Sequence, residues 1–251
     1  MCGRFVQSKI GSLLEDELQA RLVDETPLRP SWNVPPGARV SILLEQADDD
    51  GAIERKIITA RWGLLKPWNK EQREAFQWRT HNAQAETAGQ KRTWKGPLLT
   101  RRCAVPVEAY YEWEKVTEKD KRPYVIRPAD GSMILFAGLW EAWKQPGDGQ
   151  LIVTFTILTG ASPDESSGGV LGELGRIHHR MPLAMSPAMV SEWMNPGELS
   201  DGAAQDLLKR VYEGAYEVAR DWEVQEVSKA VNAVANDSPD LLEPVEPEVL
   251  F

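Results

Sequence analysis

The sequence predicts an α+β fold: a single domain with a mainly antiparallel β core, barrel-like or sandwich-like, and peripheral helices. Three observations lead there. Strand-like and helix-like runs are mixed without the strand–helix–strand alternation that builds a parallel sheet. The run LIVTFTIL (Leu151–Leu158) is apolar on both faces, as a central strand is. The 251 residues, 42% of them hydrophobic, supply a sizeable core and show neither an internal repeat nor a linker.

Taken in order, residues 2–7 read as a short strand that fixes the start of the chain. From Ser8 to Val23, apolar Ile10, Leu13, Leu14, Leu18 and Leu22 recur at helical spacing with acids opposite. The prolines of TPLRPSWNVPPGARV exclude a helix, so this segment reads as an ordered loop carrying Trp32 and Asn33. Strands follow at Val40–Leu44 and Ile53–Trp62, joined by an acidic turn. After the aromatic loop Trp62–Trp68, residues 71–79 suggest a short helix. Ala83–Lys91 is a stronger helix candidate, with Asn82 as its N-cap. Further strands are expected at Arg102–Val107, Ala109–Trp113, Tyr124–Arg127, Ile134–Trp140 and Leu151–Leu158. SSGGVLGELG reads as a glycine-rich loop leading to IHHRMPLAM. Ser186-Pro187 then opens a helix as cap and first-turn proline. Ala203–Tyr212 is helical, Tyr216–Val227 contains a strand, and residues from Asp237 form an extended proline-rich tail.

Composition removes several function classes. No apolar run approaches the roughly 20 residues of a membrane helix, and the N-terminus lacks a signal-peptide pattern, so a soluble cytoplasmic protein is expected. Two cysteines, Cys2 and Cys103, make no disulfide framework. With no CxxC and only three histidines, neither a metal site nor a cofactor is expected. A net charge of −9 argues against a generally basic nucleic-acid-coating surface. The acids are unevenly placed, however: residues 237–251 hold five acids and no base, so a local basic groove is compatible with the total.

The chemistry begins at Met1-Cys2-Gly3-Arg4. Initiator methionine is usually trimmed before a small residue, which would leave Cys2 with a free α-amine beside its thiol. The reference pKa values are about 8 and 8.5, so both are partly deprotonated near neutrality. A 1,2-aminothiol condenses with an aldehyde to a Schiff base and closes through sulfur to a thiazolidine; it is also an N-terminal nucleophile towards amides. Position alone favours an ordinary terminal residue. Three other segments combine polar groups with rigid surroundings. In His81–Thr87, Asn82 aims an amide into a cleft or simply caps a helix. In Val107–Glu114, strand alternation puts Glu112 on one face with Tyr110 and Glu114, and Tyr111 and Trp113 on the other. In Ile177–Pro182, the adjacent His178 and His179 point to opposite faces if extended, so only one faces a site. Trp32 and Trp68, in proline-rich loops, are candidates for stacking on bases.

Read together, MCGRF, WNVPPG, RWGLLKPW, NAQAET, the aromatic pair before EW, ILTGAS, IHHRMP and VSKAVNAVANDSPDLLEP resemble the SOS response-associated peptidase (SRAP) family, in order, from residue 1 to about 244. The resemblance implies a monomeric sensor of abasic sites in single-stranded DNA, nucleoid-associated when on DNA. Its catalytic residues would be Cys2, Asn82, Glu112 and His178. Cys2 would capture the ring-opened aldehyde, with His178 as general acid for ring opening. Glu112 would shuttle protons for Schiff-base formation and crosslink reversal, and Asn82 would position the amine or sugar. The product is a covalent DNA–protein crosslink, a lyase-like activity, and peptidase action would be removal of Met1. Arg4, Asn33, Trp68, Thr159 and Arg180 match positions near DNA. Gln84 departs from the family, which often has arginine there; Arg79 or Arg61 would have to supply the charge. His179, where an acid is common, is expected to face away. Two other classes compete: a cysteine peptidase using Cys2 and His178 on other proteins, and a non-covalent reader of single-stranded or modified DNA.

Overall fold

The computed structural model describes residues 3–23, 27–48 and 50–245. Strand β1 (Arg4–Gln7) is where the sequence puts it. The first helix, α1 (Ser12–Leu18), is shorter than its periodicity suggests: Gln19 turns left-handed at φ 48, and β2 (Arg21–Leu22) follows. The proline-rich segment contains a strand, β3 (Ser31–Val34), because its prolines flank rather than interrupt it. Strands β4 (Arg39–Ala47) and β5 (Ile53–Trp62) form the expected hairpin.

After α2 (Glu74–Gln77) comes a correction. Asn82 caps no helix; it begins β6 (Asn82–Gln84), and only Ala85–Ala88 (α3) is helical after it. Sheet pairing with a core strand outcompetes the local cap preference. Helix α4 (Arg92–Thr100) holds Pro97 in its interior. Strands β7 (Arg102–Val107), β8 (Ala109–Lys115), β9 (Lys121–Pro128), β10 (Ile134–Lys144) and β11 (Leu151–Ala161) contain the predicted runs. The glycine-rich stretch is not a loop but α5 (Gly169–Ile177), followed by β12 (Arg180–Pro182). Helix α6 (Pro187–Met194) starts as predicted, with the Ser186 hydroxyl accepting from the Met189 N–H. Helix α7 (Asp201–Ala219) and β13 (Trp222–Glu226) complete the elements. The tail from Asp237 is less extended than expected, since Pro239–Leu242 makes a 3₁₀ turn.

Strands β4, β5, β7, β10 and β11 pair in a closed circuit, because β11 also pairs with β5 in parallel. Alternate residues of those strands (Val40, Ile42, Leu44, Ala60, Trp62, Cys103, Val105, Phe136, Phe155, Ile157) form one buried cluster, the barrel interior. The opposite faces, with Leu43, Ile57, Ala104 and Leu139, pack under α4, α6 and α7. A second sheet, ordered β13-β9-β8-β1-β3, contributes Phe5, Tyr110 and Ile126 to the interior cluster. The predicted central strand β11 pairs with β10, β5, β6 and β12. No helix of the described residues is long and apolar enough to cross a membrane.

Candidate active site

The site forms where β8 of the second sheet meets α5 and the far end of β11. Antiparallel register pairs Arg4 with Tyr111. One step further along that register, Gly3 is level with Glu112. Cys2, the predicted nucleophile, lies outside the described residues.

Glu112 points to the face occupied by Tyr110, as alternation predicts, and is 4% exposed. His178 is the residue at which α5 ends, and its extended backbone breaks the helix there. Its Nε2 lies 3.8 Å from Glu112 Oε1. Its Nδ1 lies 3.0 Å from the Arg180 N and 3.1 Å from the Arg180 O, so the backbone of residue 180 fixes the ring, and Nε2 is the nitrogen turned towards Glu112. Burial above all depresses the His178 pKa to about 4, and the adjacent His179 also lowers it. Burial raises that of Glu112. The pair therefore combines a ring that stays neutral at pH 7 with a carboxyl that holds its proton to higher pH than usual.

The His178 and His179 rings stack, centroids 4.3 Å apart and planes 26° apart. This corrects the expectation that the two side chains diverge. Mutual packing at the helix end keeps both rings on one side.

An ion pair two residues away docks the helix end. Arg176 Nη1 meets Glu114 Oε1 at 2.5 Å, the Tyr124 hydroxyl donates to Glu114 Oε2 at 2.8 Å, and Arg176 lies over the Tyr124 ring. Since Glu114 shares the Glu112 face of β8, this contact sets the height of His178 above Glu112.

The predicted DNA-contacting residues separate into three groups. Arg180 makes a two-point contact with Glu86 (2.7 and 3.0 Å) and donates to Thr159 O at 2.6 Å. Thr159 is fully buried, its hydroxyl on Ala83 O at 3.4 Å. Arg4 donates to Asn33 Oδ1 at 2.7 Å and Val231 O at 2.9 Å. Asn33 is 1% exposed, and its amide donates to the carbonyls of Val231, Ala233 and Asn236. Thr159 and Asn33 thus hold the arginines from behind; neither presents its own side chain at the surface. Trp68, 48% exposed, packs against Arg92 (4.4 Å) and Lys66 (5.5 Å).

Asn82 is buried, opposite Ile157, one strand away from Arg180 across β11. Immediately before it, His81 accepts from the Trp62 indole N–H through its carbonyl, and burial lowers its ring pKa. The sequence reading passed over Glu86, Arg176 and Glu114 as site residues. Glu86 lies inside the NAQAET motif, and Glu114 two residues after Glu112, so their spacing carried a signal. Arg176 had none while its stretch read as a loop.

The profile of the family described as "SOS response associated peptidase (SRAP)" matches residues 1–234. The chain is 33% identical to the abasic site processing protein YoqW of Bacillus subtilis, over 97% of this chain and 99% of that one. It is 31% identical to the abasic site processing protein HMCES of Gallus gallus, over 91% of this chain and 70% of that one. A crystal structure of a Bacteroides thetaiotaomicron protein shares the fold, with a TM-score of 0.76 at 20% identity, covering 98% of this chain and 100% of that one.

Proposed function

This chain belongs to the SOS response associated peptidase (SRAP) family, and from that premise we propose that it senses and shields abasic sites in single-stranded DNA through a covalent bond to Cys2. The observation that carries the reading is the His178–Glu112 pair, with Glu112 level with Gly3 in the β1–β8 register.

The chemistry balances as a condensation. After Met1 is removed by the protein's own peptidase activity, the Cys2 amine adds to C1′ of the ring-opened deoxyribose. The resulting carbinolamine loses water to give a Schiff base. The thiol then adds to the imine carbon, its proton passes to nitrogen, and a thiazolidine closes. One water leaves overall.

Proton delivery to the departing hydroxyl falls to Glu112, whose burial raises its pKa and so favours the protonated carboxyl. This shifts the acid role away from His178, which is neutral at pH 7 and packs its Nε2 edge 3.8 Å from the Glu112 carboxyl. Run backwards, the same carboxyl serves crosslink release. Asn82 positions the amine or the sugar hydroxyl. Arg4, Arg180 and Trp68 hold the strand, with Asn33 and Thr159 supporting the two arginines.

The test is the intact mass of the protein before and after incubation with a single-stranded oligonucleotide carrying one abasic site. A starting mass lacking Met1 and a product at protein plus DNA minus water are expected, the DNA adduct disappearing with Cys2→Ala. A crosslink that persists in Cys2→Ala would refute the reading. Cys2-dependent turnover of unrelated peptides with no DNA adduct would replace it with a peptidase.

A further inference from the structure

Arg39 and Arg61 face each other as direct cross-strand partners on β4 and β5. Like charges so placed oppose sheet pairing, and among the described residues neither guanidinium meets a carboxylate. Arg61 donates through Nη1 to Gly37 O at 2.9 Å, while its Nε is buried without a hydrogen-bond partner. Arg39 makes no side-chain hydrogen bond among those residues. Together with Thr59, Gln150, Leu151 and Val153, the two arginines line a hollow of about 160 Å³ that no acidic side chain enters. That is several times the roughly 30 Å³ share of one water, room for an oxyanion with part of its hydration.

The hollow is built rather than incidental. Phe76 lies over the Arg61 guanidinium, 5.7 Å from Cζ to ring centroid. It can do so only because residue 37 is glycine: a Cβ there would stand 2.3 Å from Phe76 Cζ, and φ is +89. Phe76 also leaves a large aromatic surface exposed beside Arg61.

Position ties the hollow to the site. β5 and β11 run parallel, and Arg61, near the end of β5, is level with Thr154, five residues before Thr159 along β11. Arg61 is level with Thr154 and Asn82 with Ile157 on the same edge of β11, a separation of about 10 Å at ~3.3 Å per residue. Arg61 points outward, by the alternation that turns Trp62 into the barrel. A strand running from Asn82 to the hollow would therefore cross the barrel rim past Phe76.

We propose that the Arg39–Arg61 hollow binds a phosphodiester of the DNA strand, within a few nucleotides of the abasic residue. The inference rests on the proposed DNA-capture function for the identity of the strand. Its chemistry, an oxyanion held by two arginines that meet no carboxylate among the described residues, is shared with free phosphate, so the test separates the two sources.

Equilibrium binding of an undamaged single-stranded 15-mer is measured by fluorescence anisotropy across a salt series, for the full-length protein and for Arg39→Ala and Arg39→Lys. Arg39 is exposed, and its removal relieves a like-charge contact, so melting temperature is not expected to fall. Arg39→Ala is expected to weaken binding several-fold at low salt and to make the slope of log K against log[salt] shallower by about 0.7, the value for one phosphate on a single strand. Arg39→Lys, which keeps the charge, should retain the slope. Unchanged affinity and slope in Arg39→Ala would overturn the proposal. So would inorganic phosphate raising the melting temperature of the unaltered protein but not of Arg39→Ala while their DNA slopes coincide, which would assign the hollow to free phosphate. Failure of the unaltered protein to crosslink an abasic oligonucleotide would strike the proposed function alone, because the slope is read on undamaged DNA.

Discussion

Glu112 and His178 sit 3.8 Å apart in surroundings that push both towards their neutral forms, the carboxyl by a raised pKa and the imidazole by a depressed one. Capture also needs the α-amine free of its proton, whose reference pKa is about 8, together with a protonated Glu112, whose pKa burial raises. The pH profile is therefore the product of a limb that rises with amine deprotonation and one that falls as Glu112 ionises. Replacing Glu112 with Gln is expected to remove the falling limb and slow capture by about 10²-fold or more, the usual contribution of a positioned general acid. Crosslink rates from pH 5 to 9 check this; a falling limb retained in Glu112→Gln would exclude the carboxyl as its source. His178 carries a second prediction. Unfolded, the ring takes its proton near 6.5; folded, near 4. Between those values the unfolded chain binds more protons, so the stability from neutral His178 is complete above pH 6.5 and lost as pH falls towards 4. Urea midpoints should therefore decline less steeply between pH 6.5 and 4.5 in His178→Gln than in the unaltered protein. Parallel declines would count against it.

At the scale of elements, α5 decides where His178 lies, and it is the element that sequence reasoning misread. Gly169, Gly172 and Gly175 disfavour a helix by roughly 1 kcal/mol each against alanine, which made a loop the natural expectation. The helix forms because Leu171, Leu174 and Ile177 are buried, and because two of its glycines permit close contact. A Cβ on Gly175 would come within 2.2 Å of Pro163 O, and one on Gly172 within 2.6 Å of Glu165 O. Long-range packing of this kind leaves no local signature, whereas the Ser186-Pro187 start of α6 is chemistry between neighbours and was legible. Asn82 was misplaced for the same reason: its partner Ile157 is far away in sequence. Gly175→Ala must displace the helix from a backbone atom, so we expect a loss of about 1–3 kcal/mol, as for overpacking, and slower capture than the stability loss explains. The docking pair predicts the same selectivity. Glu114→Gln frees Arg176 near the surface and should barely move the melting temperature, yet lower the crosslink rate as His178 loses its height above Glu112. A rate equal to the unaltered protein's would show that the pair positions nothing.

For the molecule as a whole, the α+β class and antiparallel core were legible because β11, β10 and the β4–β5 hairpin announce themselves by apolar runs and alternation. Closure of the barrel was not, since it depends on a parallel pairing of two residues on β5 with two on β11. Nor was the use of Asn33, whose amide reaches across some 200 residues to hold the 231–236 segment. That contact and the shared interior cluster bear on whether the chain is one domain, as the absence of a linker predicts. Phe5 and Tyr110, from the second sheet, are fully buried against barrel residues, with Phe5 4.8 Å from the Trp62 ring. Neither sheet can expose that surface without stranding the other's aromatic side chains. Unfolding should therefore be a single transition in which fluorescence and far-ultraviolet circular dichroism coincide, the calorimetric and van't Hoff enthalpies agreeing. Phe5→Ala should lower stability by about 3–5 kcal/mol and move the whole transition without splitting it. Two resolved transitions in that variant would show that the second sheet, with β1 and β8, unfolds independently of the barrel. The candidate site, with Glu112 on the second sheet and Asn82 on a strand paired to the barrel, would then lie between two separable units.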